Sequence, residues 1–241
     1  MIKIVTAYAD LMNQYGEYAA SEFLRARLES AGIQVKTESF SIGSRPELSD
    51  CNLLCFSAGT EKSLLAAMDD AAQYKAELSE YTNGGGFVLL TGNSMGIFAK
   101  SVTDLKNKIH RGLGILDCEM TIIPKRKYSE LILQSAELAG DTVGAINTSL
   151  SVSTAEKPLF KVVYDSADAL GSQYEGMVKN NVFATQLTGP MLVRNPLVLE
   201  EFCARLCGRQ LPECTEKWYA YSKAGYEHVY GSLKKSSGKQ V

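Results

Sequence analysis

Apolar positions fall in short runs and spaced stripes along this chain, and the two patterns predict different elements. The run IKIVTAY at the start is β-branched and apolar, the signature of a buried strand. Over residues 14–30, Tyr15, Ala19, Phe23, Leu24 and Leu28 recur at helical spacing, and Gly32 stops the helix. IQVKTESF then alternates with period two, and NLLCF (52–56) reads as another buried strand leaving through Ser57, Ala58 and Gly59. Residues 61–80 predict a helix carrying Leu64, Leu65, Met68 and Ala72, and GFVLL follows as a strand. This alternation predicts an α/β fold, a doubly wound, mostly parallel sheet flanked by helices. Ligands of such sheets gather beyond the carboxyl ends of the strands, where the turns 57–60 and 91–94 fall.

The second half is richer in strand signals. MTIIP, ELILQSAEL, TVGAINTSLSVS and PLFKVVYD predict an antiparallel meander, and NNVFATQLTGPML a last central strand. Asn195 as N-cap, Pro196 in the first turn, Glu200 and Glu201 near the start and Gly208 at the end mark a helix. A final helix over 213–233 carries Trp218, Tyr219, Tyr221, Tyr226 and Tyr230 on more than one face. Those aromatics fit core packing or an interaction surface. Without a repeat or linker, residues 1–233 read as a single domain and 234–241 as a frayed tail.

Composition narrows the classes. With 241 residues, 45% hydrophobic and a net charge of −2, the chain has no basic footprint for nucleic acid. Its apolar runs are far short of the ~20 residues of a membrane span, so no direct membrane insertion is expected. MIKIVTAYAD reads as a strand and not a signal sequence, which places the protein in the cytoplasm with its six cysteines reduced. The pairs Cys51/Cys55 and Cys203/Cys207 are spaced too widely for a zinc site, and neither a metal nor another cofactor is expected. GGGFVLLTGNSMG (84–96) lacks a phosphate-loop lysine, and its glycines precede the strand, so it reads as a tight strand-to-helix connection.

Three stretches carry a family resemblance: VLLTGNSMG (88–96), RGLGILD (111–117) and TQLTGPMLVRNP (185–196). Together they resemble the class I glutamine amidotransferases of the cobyric acid synthase branch, in particular the amidotransferase subunit of lipid II isoglutaminyl synthase. The resemblance implies a flavodoxin-like fold in which a turn cysteine attacks glutamine. A histidine moves the proton and a glycine-rich turn holds the oxyanion. It also implies an ATP-dependent Mur-ligase-like partner that uses the ammonia in cell-wall peptidoglycan amidation.

Position by position, the nucleophile falls on Thr91 and the base on Thr188, and the oxyanion turn on Ser57, Ala58 and Gly59. Gly92, Asn93, Ser94, Arg126 and Asn147 complete the expected substrate pocket, Arg126 matching a substrate-holding arginine. His110 and His228 fall outside the base position. The expectation is a disabled amidotransferase-like protein retained for binding a partner or a small molecule. The alternatives are an active amidotransferase, an enzyme of another class using the hydroxyl and amide groups of the turns, and a scaffold.

Overall fold

The computed structural model describes residues 1–238. Its first half is built from β1 (Ile2–Ala7), α1 (Ala19–Ser30), β2 (Val35–Phe40), β3 (Leu53–Phe56), α2 (Glu61–Ala71), α3 (Lys75–Asn83) and β4 (Phe87–Thr91). A 3-10 turn at Gly92–Ser94 leads into α4 (Met95–Phe98), followed by β5 (Ser101–Thr103) and β6 (Ile109–Arg111). Next come β7 (Cys118–Gln134), β8 (Asp141–Thr154), β9 (Phe160–Asp165), β10 (Tyr174–Glu175), β11 (Met177–Lys179), β12 (Val182–Thr185) and β13 (Leu187–Thr188). The chain ends in α5 (Met191–Arg194), α6 (Pro196–Cys207) and α7 (Lys217–Ser237).

Among the described residues one sheet has the order β11-β12-β4-β3-β1-β2, parallel except where β11 meets β12. The continuous apolar runs of its central strands follow from helices on both faces. Along β3, Leu54 and Phe56 pack with Leu64 and Met68 of α2, while Leu53 and Cys55 pack on the other side with Leu24, Leu28 and Phe202. The doubly wound parallel sheet expected from the sequence is therefore present.

The β-rich half departs from a simple meander. MTIIP and the start of ELILQSAEL belong to one strand, β7, whose register against β8 shifts between Ile122 and Lys127. The intervening KRKYS is mostly exposed, so the alternation that identifies a strand lapses while the backbone stays extended. Strand β9 pairs with β7 and not with β8, whose other edge is taken by β13 at Ala145 and Ile146.

Several boundaries also move. Helix α1 begins at Ala19 because Gly16 holds a positive φ of 73° and residues 14–18 form turns. The helix expected over 61–80 is two helices joined by a 3-10 turn at Ala72–Tyr74. Asn195 occupies the N-cap position of α6, but its side chain does not cap the helix. Its Oδ1 accepts from the Val143 amide at 2.8 Å, and its Nδ2 donates to the Val143 and Met191 carbonyls.

Helix α7 runs to Ser237, so residues 234–237 of the expected tail are helical. Residues 239–241 of that tail lie outside the described residues. Of the five aromatics on α7, Trp218 packs edge-on against Phe23, Tyr219 is buried, and Tyr226 and Tyr230 stack and donate to Asp141. Tyr221 alone of the five stands largely in solvent, so core packing accounts for most of them.

Glu175 fastens β10 to the corner between β12 and β13. It is 2% exposed and accepts from the Thr185 hydroxyl at 2.7 Å and the Gln186 amide at 2.6 Å. Burial pushes its pKa up to about 7, against those hydrogen bonds, which lower it. The folded state thus holds a proton that the unfolded chain releases from about pH 4.5 upward. This contribution is complete at low pH and is lost as pH rises towards 7. Urea unfolding should show stability declining between about pH 4.5 and pH 7, with Glu175→Gln removing a share on the order of 3 kcal/mol. An unchanged slope in the variant would refute the assignment.

Candidate functional site

The site forms where β3 and β4 end side by side. Thr91 is the last residue of β4, in extended backbone (φ −118°, ψ 148°), and the chain turns at Gly92, whose φ is +60°. A nucleophile elbow places its reactive residue on the sharp strand-to-helix turn itself. Here the residue with the left-handed turn conformation is Gly92, one position beyond Thr91. The Thr91 side chain is buried, with its hydroxyl directed at the Phe56 carbonyl at 3.4 Å. Ser94 is fully buried and donates to the carbonyls of Thr91 (2.8 Å) and Phe56 (3.1 Å), so it stabilises the turn from within.

Space also selects glycine at position 92. A Cβ there would lie 2.4 Å from the Ala58 Cβ, and 3.8 Å from the Thr188 Cγ2. Gly92 and Thr188 therefore face one crevice. Thr188 lies on β13, its hydroxyl donating to the Ala145 carbonyl at 3.1 Å. Asn93 closes the turn from the opposite side. Its Oδ1 accepts the Gly59 amide proton at 2.9 Å and its Nδ2 donates to the Gly59 carbonyl at 2.7 Å. The Gly59 N–H, an expected oxyanion donor, is thereby occupied.

Ala58, Gly59, Gly92, Asn93, Arg126, Asn147 and Thr188 are brought together around this crevice. Ser57 and Thr91 instead line a separate small cavity beside Cys55 and Glu17. Burial pushes the Cys55 thiol far above its ordinary range, which keeps it protonated. Glu17, also buried, accepts from the amides of Tyr15 (3.0 Å) and Gly189 (3.2 Å), tying the turn after Thr188 to the segment before α1.

Five lining residues were not expected from the sequence: Gln14, Tyr15, Glu61, Thr148 and Ser149. Arg126 donates to the Asn147 carbonyl (2.9 Å), the Tyr15 hydroxyl (3.3 Å) and the Glu61 carboxylate (2.7 Å), and Ser149 also donates to Glu61. Burial raises the Glu61 pKa, but hydrogen bonds from Ser149 and its own backbone, with the Arg126 charge, hold it below the usual carboxylate range. The free volume left is about 10 Å³, room for a single water. Tyr15, Glu61 and Arg126 are the ionisable groups among the described lining residues, and the two charged ones are paired with each other. His110 sits on β6 against Asp104, and His228 on α7, both away from the crevice.

A flavodoxin-like parallel sheet with these turns at its carboxyl ends is the fold of the class I glutamine amidotransferases. A crystal structure of a glutamine amidotransferase matches 85% of this chain and 98% of its own, with a TM-score of 0.55 at 18% identity. PurLQS from Thermotoga maritima matches 86% of this chain and 96% of its own, with a TM-score of 0.53 at 12% identity. In sequence, the chain is 24% identical over 199 residues to the GatD subunit of lipid II isoglutaminyl synthase (glutamine-hydrolyzing) from Streptococcus pneumoniae. That alignment covers 80% of this chain and 76% of the relative. No protein-family model matches the chain. The amidotransferase resemblance read from the three motifs is thus shared by fold and sequence. No helix among the described residues is long and apolar enough to cross a membrane.

The contact between positions 58 and 92 can be measured. Gly92→Ala should cost about 2–4 kcal/mol, combining left-handed backbone strain with overlap on Ala58. In an Ala58→Gly background the same substitution should cost only the backbone share, about 1–2 kcal/mol. Urea unfolding of the four proteins gives the coupling, and strictly additive costs would show that Ala58 is not the obstacle.

Proposed function

We propose that this chain is a catalytically disabled glutamine amidotransferase-like protein, a binding or partner subunit that does not hydrolyse glutamine. One observation carries the reading: the turn residue facing Thr188 is Gly92, which has no side chain to attack an amide. Threonine at position 188 cannot shuttle a proton as an imidazole does. The Gly59 amide is engaged by Asn93, and about 10 Å³ cannot admit a glutamine side chain. Nucleophile and base act as one unit, so their joint absence removes the reaction rather than slowing it by separable factors. The hydroxyls of Thr91, Ser94 and Thr188 and the Asn93 amide are committed to backbone partners, which argues against another chemistry in this crevice.

In this reading the protein is a single-domain cytoplasmic unit docking on an ATP-dependent Mur-ligase-like partner. The relative from Streptococcus pneumoniae is itself named as a subunit of a synthase. Incubating the purified chain with glutamine and following ammonia tests the chemistry. The expected result is release no faster than the buffer control. Turnover that disappears in Thr188→Ala or Cys55→Ala would overturn the proposal.

A further inference from the structure

The closed crevice has an open neighbour. On the other side of β8 lies a cavity of about 580 Å³, inside the range of small-molecule sites. Thr148 lines both spaces. We propose that this cavity binds a small hydroxylated organic anion of monosaccharide size, a sugar acid in chemical class. The inference concerns a different site from the proposed function and holds whether or not glutamine is hydrolysed.

Two lining groups define the ligand. The side-chain Oε1 of Gln186 is buried and has no hydrogen-bond partner among the described residues. A buried acceptor in that state takes a donor from whatever fills the cavity, which a ligand hydroxyl can supply in place of water, since polar groups withdrawn from bulk water are nearly always paired. Lys127 lines the same space and makes no ion pair or side-chain hydrogen bond among the described residues. The lining carboxylate, Glu156, is already matched by Lys179 at 3.0 Å and by the Asp117 amide at 2.7 Å. The unmatched charge facing the cavity is therefore positive, and the complementary ligand is an anion.

The rest of the lining fits hydroxyl groups. Ser151, Ser153 and Tyr174 bring side-chain hydroxyls that have no partner among the described residues, and each both donates and accepts. Met95, Leu150 and Met177 supply apolar surface for the C–H faces of a ring. Lys127 pairs with Thr148 from the β7 side, whereas Gln186 immediately precedes β13 on the other edge of β8. Two strand spacings put these groups about 10 Å apart, a span that a hexuronate with a hydrogen bond at each end can bridge.

Glucuronate, glucose and acetate, each titrated into the full chain at fixed ionic strength, separate the contributions. Calorimetry should show glucuronate binding at least tenfold more tightly than glucose, with acetate not binding, and glucuronate should raise the unfolding temperature with concentration. Lys127→Met should reduce glucuronate to the affinity of glucose. Gln186→Leu should weaken both sugars at least tenfold while circular dichroism stays that of the wild type. Failure of glucuronate to bind, equal affinity in wild type and Lys127→Met, or acetate binding as tightly as glucuronate would each overturn the proposal.

Discussion

The approach of Gly92 to Ala58 governs what the site can do. Strands β3 and β4 are hydrogen-bonded neighbours, so the turns leaving their carboxyl ends must pass within van der Waals reach. The second turn begins at positive φ, and a Cβ there would fall 2.4 Å from the Ala58 Cβ. A side chain at position 92 and a methyl at position 58 are thus mutually exclusive in this backbone. Glycine at position 92 and alanine in the facing turn, which stand 34 positions apart in sequence, are one steric choice. Asn93 then follows from it: with the turns locked together, its amide reaches both polar groups of Gly59.

Closure of the crevice comes from a different kind of contact. Arg126, Glu61, Ser149, Tyr15 and Asn147 belong to four separate stretches of chain, yet they meet in one connected set of hydrogen bonds. Side chains of Arg126 and Glu61 are 41% and 35% exposed, so their ion pair by itself contributes little to stability. Its consequence is occupancy. The guanidinium is matched by a carboxylate of its own chain, and the space in front of Gly92 shrinks to that of a water.

Local pattern made the central sheet legible, because strands buried on both faces show as uninterrupted apolar runs and NLLCF and GFVLL are such runs. The polar bend within β7 hid its continuity, since exposure on both faces erases alternation. The left-handed turn at Gly92 had a local signal: glycine directly after a buried strand is the residue that tolerates such a turn. Glu61 was hidden for another reason. An acidic residue in the first turn of a helix already has a local explanation, and its partner Arg126 stands 65 positions away. Asn195 likewise sits where a cap belongs, but the side chain bonds to Val143, 52 residues distant. In each case a long-range contact competed with a local role that the pattern already satisfied.

Polar pairing distinguishes the two spaces that β8 separates. In the crevice the side-chain hydroxyls, the Asn93 amide and the Arg126–Glu61 pair have partners within the chain, the condition of a rigid packed interior. A site that acts on a ligand must keep some groups short of partners, because those groups recognise what enters. Gln186 and Lys127 meet that condition, whereas Asn93, Thr188 and the Arg126–Glu61 pair beside Gly92 do not. A fold can keep the outline of a site while its unmatched polar groups lie elsewhere. The groups free to recognise a ligand therefore lie across β8 from Gly92, at Gln186 and Lys127.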